Sequence, residues 1–339
     1  MVATRTVRES RCAPYDWGMP TLTPAISERD MAALGSPART PTVAVSIEGH
    51  SPIWCKMEFA HESGSTKDRI ARYILTDAIS RGLVAPGGVV AEASSGSTSI
   101  AMACICARLG LHFIAVMPEG VSSERVLMIR AYGAEVRLSP AKEGIRGALA
   151  MTELLRVEAG AFLPRQFENQ LNADAHRLGT ARELVEQLAP RHIDAFVSGV
   201  GTGGTLVGAW RGLLEAGMQT IPVLARPIEA TPGLLCSCFA QAECSCFSAR
   251  IPGVLDGASA IFVPAEMPGL IEEEIPDSLA IDATRALIRA GYPVGPSSGL
   301  NMVAAWRTAK RLGPDAVVAT VLCDRAERYF STELFAAFR

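Results

Sequence analysis

Ala195-Phe196-Val197-Ser198-Gly199-Val200-Gly201-Thr202-Gly203-Gly204-Thr205 is the stretch whose reading decides the fold. Its first four residues are apolar or small and read as a buried strand. Four glycines and two threonines follow, and an amphipathic run begins near residue 206. Glycines let backbone amides come close to a bound group, threonines add donors, and a helix N-terminus presents unpaired N–H groups. By composition and position this loop is a phosphate cup, and packing alone accounts poorly for so many glycines. The same letters fit G-x-G-x-x-G through Gly199, Gly201 and Gly204, with the acidic Glu229 at the end of the next strand. A nicotinamide-dependent oxidoreductase is therefore a rival here, although that fingerprint usually opens its domain and this one lies past the middle of the chain.

Outward from this stretch, short apolar runs alternate with amphipathic ones. Residues 88–92, 112–117, 134–138, 221–228 and 316–322 read as strands. Residues 98–109, 122–132, 144–159 and 206–216 read as helices, and Gly133 is a good C-terminal cap for the second of them. Strands alternating with helices imply parallel sheets covered on both faces. The length of chain in this pattern predicts an α/β fold of two three-layer α/β/α domains with mostly parallel twisted sheets. Residues 1–35 are rich in Pro, Arg and Thr, with weak periodicity, and read as an N-terminal arm.

The totals exclude several classes. Apolar residues make up 49% of the 339, enough for a large core, and charged residues 20%. The formal charge of -3 gives no basic excess to attract nucleic acid. The richest apolar stretch, residues 98–117, is broken by Arg108 and His112, so it reads as a helix and a strand, not a membrane span. Arg5, Arg8 and Arg11 are followed by no apolar run, so no secretory signal is expected. Nine cysteines is an odd number, six of them in tight pairs, which reads as a reduced cytoplasmic protein and not a disulfide framework.

Three further stretches could carry chemistry. Ser94-Ser95-Gly96-Ser97-Thr98 opens a helix with four hydroxyls where a plain cap needs one, which suits an anion such as a carboxylate. Gly295-Pro296-Ser297-Ser298-Gly299-Leu300-Asn301 also precedes a helix, but alone it reads as an ordinary turn. In His61-Glu62-Ser63-Gly64-Ser65-Thr66-Lys67-Asp68-Arg69, Ser65 or Thr66 can cap a helix running to about Ser80. Lys67 then lies at the wrong end for the helix dipole, which suits a nucleophilic or proton-shuttling amine. On local grounds an exposed surface lysine weighs as much.

Taken together, these stretches resemble the fold-type II pyridoxal-phosphate enzymes, in particular the cysteine synthase and cystathionine β-synthase branch. In chain order, residues 61–69 match N-P-x-x-S-x-K-D-R and residues 94–99 match T-S-G-N-T-G. Met117-Pro118-Glu119 is M-P-E, with Ser123-Glu124-Arg125 after it, and residues 166–169 are Q-F-E-N. Residues 201–205 are G-T-G-G-T, residues 297–299 S-S-G, and residues 327–332 E-R-Y-x-S-T. The resemblance implies a tryptophan synthase β-like architecture. A smaller domain would span residues 60–165 and a larger one residues 36–59 plus 166–339. It implies that Lys67 forms the internal aldimine with pyridoxal 5′-phosphate and moves the Cα proton. Gly201, Thr202, Gly203, Gly204 and Thr205 would hold the cofactor phosphate, Ser97 would face its 3′-oxygen, and Ser297 would sit at the pyridine nitrogen. Ser94, Ser95, Gly96, Thr98 and Gln166 would bind the substrate. A serine at the pyridine nitrogen makes the ring a weaker electron sink, which suits expulsion of a β-substituent. The implied activity is β-replacement on an activated serine or cysteine through an aminoacrylate, by a homodimer acting on a small amino acid. β-Elimination, as in a cysteine desulfhydrase or serine/threonine dehydratase, is the close alternative; a non-catalytic relative is a remote one.

Departures from the family pattern bear on the substrate. Ser97 replaces the usual asparagine, His61-Glu62 replaces Asn-Pro, and Cys323-Asp324-Arg325-Ala326 replaces Pro-Asp-Ser-Gly, which would put a charged Arg325 near the ring end of the cofactor. They suggest a specialised β-replacement enzyme. Cys236, Cys238, Cys244 and Cys246 have a C-x-C…C-x-C spacing that could gather four thiolates around zinc, but structural zinc sites usually use C-x-x-C. A loop of small apolar side chains is the weightier reading, and no metal is expected.

Overall fold

The computed structural model describes residues 39–47, 50–228, 250–254 and 259–339. The expected arm over residues 1–35, Glu229, and the cluster Cys236, Cys238, Cys244 and Cys246 lie outside the described residues. In order, the main elements are β1 (Thr42–Ile47), β2 (His50–Met57), α1 (Lys67–Ser80), β3 (Val89–Ala93), α2 (Ser97–Arg108), β4 (His112–Pro118), α3 (Ser123–Ala131), β5 (Glu135–Ser139) and α4 (Gly144–Ala159). Then come α5 (Leu171–Ala175), a π-helical turn (His176–Ala181), α6 (Arg182–Leu188), β6 (Ala195–Gly199), α7 (Gly204–Glu215), β7 (Ile221–Ile228), β8 (Ile271–Pro276), α8 (Asp277–Arg289), α9 (Pro296–Leu312) and β9 (Val318–Leu322).

Two sheets result. The larger runs β1-β2-β9-β6-β7-β8, and the smaller β3-β4-β5. Among the described residues only the β1/β2 strand pair is antiparallel; the other strand pairs are parallel. Ala195 of β6 registers with Ile221 on one side and Val318 on the other, which puts β6 in the interior of the large sheet. Its first four residues are buried, as a strand covered on both faces requires. Alternate residues serve opposite faces. Ala195 and Val197 pack with Leu300 and Val303 of α9, while Phe196 packs with Leu206 and Trp210 of α7. In the small sheet, Val90 and Phe113 meet Leu75 of α1 and Ile100 of α2, and Ala91 and Ile114 meet Ile145 and Leu155 of α4. Each sheet is thus the middle of a three-layer α/β/α sandwich.

The elements read from the sequence are present, with ends that differ by up to two residues. The sequence reading left out the β1/β2 hairpin, α5, the π-helical turn, α6, β8 and α8. In β8, Ile-Glu-Glu-Glu-Ile-Pro, charge hides the strand: it is an edge strand, and the side chain of its buried Glu273 pairs with Arg311.

Strand order fixes where a ligand can bind. After β6 the chain goes on to β7 on one side, while β9 is the neighbour on the other. In the small sheet β3 leads to β4, and Phe162 bridges to Val90 of β3 in parallel. Connections diverge at both places, so the loops leaving β3, β6 and β9 border a crevice at the carboxyl ends of the strands.

Candidate active site

Those loops line one cleft, which holds the side of each loop that the sequence singled out. Lys67, Ser94, Ser95, Ser97, Thr98, Gln166, Gly201, Thr202, Gly203, Thr205 and Ser297 all border it. Gly96 and Gly204 do not. Gly96 stands behind the loop at φ +143, where an added Cβ would strike Arg125. Gly204 begins α7 against Asn172, whose side-chain amide leaves no room for a Cβ. Their lack of a side chain shapes the loops from behind, and the Gly204 amide stays among the uncapped first-turn donors of α7.

The glycine loop is built as a set of donors. Gly203 precedes α7 at φ +83, a conformation that glycine adopts without penalty, and no side chain caps the helix. The first-turn amides of α7 therefore lack intrahelical partners and an internal cap. The Thr202 hydroxyl accepts from Asn172 Nδ2 at 2.9 Å, so its own hydrogen is available to the cleft. Thr205 Oγ1 is 3.2 Å from His176 Nε2, and His176 Nδ1 is 2.9 Å from Thr180 Oγ1. Burial pushes the His176 imidazole down to about 3, so it is neutral at pH 7. The π-helical turn that starts at His176 brings these groups together.

In the serine loop the four hydroxyls divide their work. Ser94 Oγ accepts from the amides of Gly96 at 3.1 Å and Ser99 at 3.2 Å, and so holds the turn. Ser97 Oγ donates to Asp324 Oδ2 at 3.0 Å, and Thr98 Oγ1 donates to Gln166 Oε1 at 2.6 Å. Ser95 faces the cleft. Gln166 is itself fixed, its Nε2 donating to Ala93 O at 2.7 Å and its backbone amide to Glu92 Oε2 at 3.1 Å. Burial raises the Glu92 carboxyl to about 8, against the two backbone amides that favour its charge.

Lys67 is the first residue of α1, and its position is set from the far end of the chain. Thr66 N donates to Cys323 O at 2.8 Å and Arg325 N to Gly64 O at 3.0 Å, around an antiparallel bridge between Ser65 and Asp324. Of the two expected caps, Ser65 Oγ accepts the Lys67 amide at 3.3 Å, whereas Thr66 makes no side-chain cap bond. Behind Lys67, Arg69 is 1% exposed and joins Glu58 at 2.6 Å and Glu183 at 2.7 Å; Lys56 joins Glu183 at 2.7 Å. Burial opposes the Glu58 charge, but the Arg69 guanidinium outweighs it and holds the carboxyl well below the usual range. Arg325, expected at the ring end of the cofactor, does not line the cleft. Its Nε donates to Phe59 O at 3.0 Å, and its stem fills the space beside Gly64.

Several cleft residues were quoted in the sequence motifs without being given a role. Asn301 Oδ1 accepts the Gly199 amide at 2.7 Å and its Nδ2 donates to Val321 O at 3.0 Å, which ties α9 to the ends of β6 and β9. Asp324 accepts from Ser97 and, at 2.7 Å, from the Tyr329 hydroxyl. Burial and the neighbouring Asp324 raise the Tyr329 phenol, so it stays a donor. Cys323 and Arg125 also line the cleft. Their signal was the motif order; no local pattern marks them.

An uncapped helix N-terminus with threonine donors suits a phosphate dianion, and an amine at Lys67 and a hydroxyl at Ser297 border the same cleft. The residues present therefore fit pyridoxal phosphate. The fold and this cleft define a two-sheet α/β enzyme of the phosphate-cofactor type. The pattern of the pyridoxal-phosphate dependent enzyme family matches residues 35–324, and the chain belongs to that family. It is 38% identical over 293 residues to a cysteine synthase of Staphylococcus aureus, covering 84% of this chain and 89% of that protein. Among solved structures, it is similar to a hydrogen sulfide-producing enzyme from Fusobacterium nucleatum, with TM-score 0.81 and 30% identity over 91% of this chain and 92% of that one. It is also similar to an O-acetylserine dependent cystathionine beta-synthase from Helicobacter pylori, with TM-score 0.76 and 32% identity over 89% and 97%. The family is pyridoxal-phosphate dependent, which sets aside the nicotinamide reading of Gly199–Gly204. No helix among the described residues is long and apolar enough to cross a membrane.

Proposed function

We propose that this enzyme replaces the β-substituent of an activated serine with a sulfur or nitrogen nucleophile, in the manner of a cysteine synthase. The observation that carries the reading is the meeting of Lys67, the serine loop, the glycine cup and Ser297 on one cleft. The names of the relatives support the same chemistry. In this reading, Lys67 holds the cofactor through Nζ, the amides of residues 201–205 with Thr202 and Thr205 hold its phosphate, and Ser297 faces its ring nitrogen. Bound pyridoxal phosphate supplies an electron sink conjugated to the substrate Cα.

The chain's own residues do the rest. Ser95, with the amides at the start of α2, binds the substrate carboxylate at the positive end of the helix. The Thr98–Gln166 pair sets the wall against which that carboxylate lies. Lys67 Nζ takes the Cα proton, held over the cleft by the bridge between Ser65 and Asp324. A neutral hydroxyl at Ser297, in place of a carboxylate, keeps the sink weak and favours departure of the β-group.

The division into residues 60–165 and residues 36–59 plus 166–339 matches the membership of the two sheets and is proposed as the domain boundary. A homodimer working in the cytoplasm is proposed with it; the described cysteines, Cys55, Cys104, Cys106 and Cys323, are free thiols. Light scattering of the pure protein tests the dimer.

The deciding experiment incubates the holoenzyme with O-acetylserine and sulfide and measures cysteine. Cysteine formation that Lys67→Ala abolishes is the expected result. Pyruvate and ammonia released at the same rate without any nucleophile would move the assignment to β-elimination. No turnover of any serine donor would overturn it.

A further inference from the structure

Cys323 is a cleft residue that the proposed chemistry leaves unused. It follows β9, is a free thiol, and borders the cleft together with Ser297 and Lys67. The family pattern has a proline here, which offers neither a thiol nor a backbone N–H. In this chain the Cys323 amide donates to Ser298 Oγ at 2.9 Å, which ties the end of β9 to the first turn of α9. The thiol is thereby brought to Ser297, the residue before. Burial pushes it up to about 11 and the Asp324 carboxylate adds to this, against hydrogen bonding with the Ser297 side chain, so the sulfur keeps its proton at pH 7. Asn301 fixes the other side of the sulfur. Its Oδ1 accepts the Gly199 amide at 2.7 Å, which assigns both amide hydrogens to Nδ2. One goes to Val321 O at 3.0 Å and the other to Cys323 Sγ at 3.3 Å. An N–H aimed at the sulfur turns the S–H away from Asn301. Of the two acceptors beside it, Val321 O is 3.8 Å away and already takes Asn301, which leaves the hydroxyl of Ser297.

We propose that Cys323 is a positioning residue whose thiol donates to Ser297 Oγ, so that Ser297 turns its own hydrogen to the ring nitrogen of the cofactor. The inference rests on the proposed place of Ser297 and deepens it. Asn301 Nδ2, Cys323 Sγ and Ser297 Oγ form a chain in which the sulfur and the hydroxyl each accept from one neighbour and donate to the next. Each bond in such a chain polarises the one after it. Ser297 is thereby a stronger donor than a serine alone, while no full charge is brought to the ring. The electron sink gains enough strength to ease loss of the Cα proton and stays short of what a carboxylate supplies.

The test compares Cys323→Ala and Cys323→Ser with the wild-type holoenzyme, each also in a Ser297→Ala background. Two readouts are used: the absorbance band of the resting holoenzyme, and the isotope effect on kcat with O-acetylserine deuterated at Cα. Loss of the thiol's hydrogen bond should lower kcat by roughly threefold to tenfold in the alanine variant, with KM little changed. The isotope effect should rise and the band should shift. The serine variant, which keeps an O–H donor, should stay near wild type. In the Ser297→Ala background the same substitutions should move neither readout, because the thiol acts through that serine. An alanine variant with an unmoved band and isotope effect overturns the proposal, and so do equal effects with and without Ser297. Loss of kcat, KM and cofactor retention together in both variants assigns Cys323 a packing role and overturns it too. An enzyme that turns over no serine donor sinks the β-replacement reading, whereas the absorbance comparison needs no turnover and still decides this inference.

Discussion

Ser97 Oγ meets Asp324 Oδ2 at 3.0 Å across 227 residues of sequence, linking the start of the serine-loop helix to the residue that pairs with Ser65 beside Lys67. One carboxylate thus ties the small sheet, the large sheet and the base of the lysine together. The Arg328 guanidinium lies 3.9 Å from the same oxygen and donates to Ser63 O at 2.7 Å and Ser97 Oγ at 3.1 Å.

Asp324→Ala should therefore cost more than removal of either partner. It leaves the buried Tyr329 hydroxyl and Ser97 without their acceptor and Arg328 without its neighbouring carboxylate, a loss on the order of 3 kcal/mol. Tyr329→Phe removes one hydrogen bond and should cost about 1 kcal/mol. Urea denaturation of the two variants checks the order, and equal losses would contradict it.

Arg69→Met should be among the most damaging substitutions away from the cleft. It would leave Glu58 and Glu183 buried with Lys56, His61 and the uncharged donors of Thr40 in place of the guanidinium. Breaking a buried ion pair from one side costs roughly 3–5 kcal/mol. Thermal unfolding measures it, and cofactor occupancy should fall too, because Arg69 is two residues from Lys67 on the same helix.

Glu92 sets a pH dependence of stability. Its carboxyl is raised to about 8 in the folded protein, from 4.5 when free. A raised group stabilises the fold fully below the unfolded value and loses that contribution as pH rises through the folded one. Wild-type stability should thus decline relative to Glu92→Gln between about pH 4.5 and 8. Parallel profiles for the two proteins would show that Glu92 is ionised throughout.

His176 works in the opposite direction. Its imidazole is lowered to about 3 from 6.5, so its contribution is present above the unfolded value and is lost as pH falls through the window between them. His176→Gln should flatten the acid side of the stability profile. Thr205→Val, which removes the hydroxyl that His176 faces, should weaken cofactor retention by roughly tenfold or more, the worth of a hydrogen bond to a charged group. Equilibrium dialysis of the cofactor reads this directly.

How much of this was legible in the sequence depends on the range of each interaction. Gly203 was legible because its signal is local, a glycine before a helix, whereas Lys67 stood out only through the order of the motifs, since on local grounds a surface lysine weighed as much. The role of Arg325 was misjudged for the opposite reason. Its place in the motif pointed to the cofactor, but Gly64, 261 positions away in sequence and free of a side chain, leaves the groove into which the arginine folds. Strand β8 was missed because its charges belong to an exposed sheet edge, and edge position is a property of the sheet.

By itself the sequence determined the parallel α/β architecture, since near-continuous apolar runs between amphipathic helices can bury themselves in few other ways. It also marked the glycine and serine loops, because glycines and hydroxyls clustered at helix starts are local signals. Only the tertiary structure decided which charges face the cleft. Asp324 became the junction of two sheets, Arg69 was sealed among carboxylates, and Arg125 was packed against Gly96 behind the serine loop. A side chain's charge is written in the sequence, but its partner is chosen by burial and by chain segments hundreds of residues away.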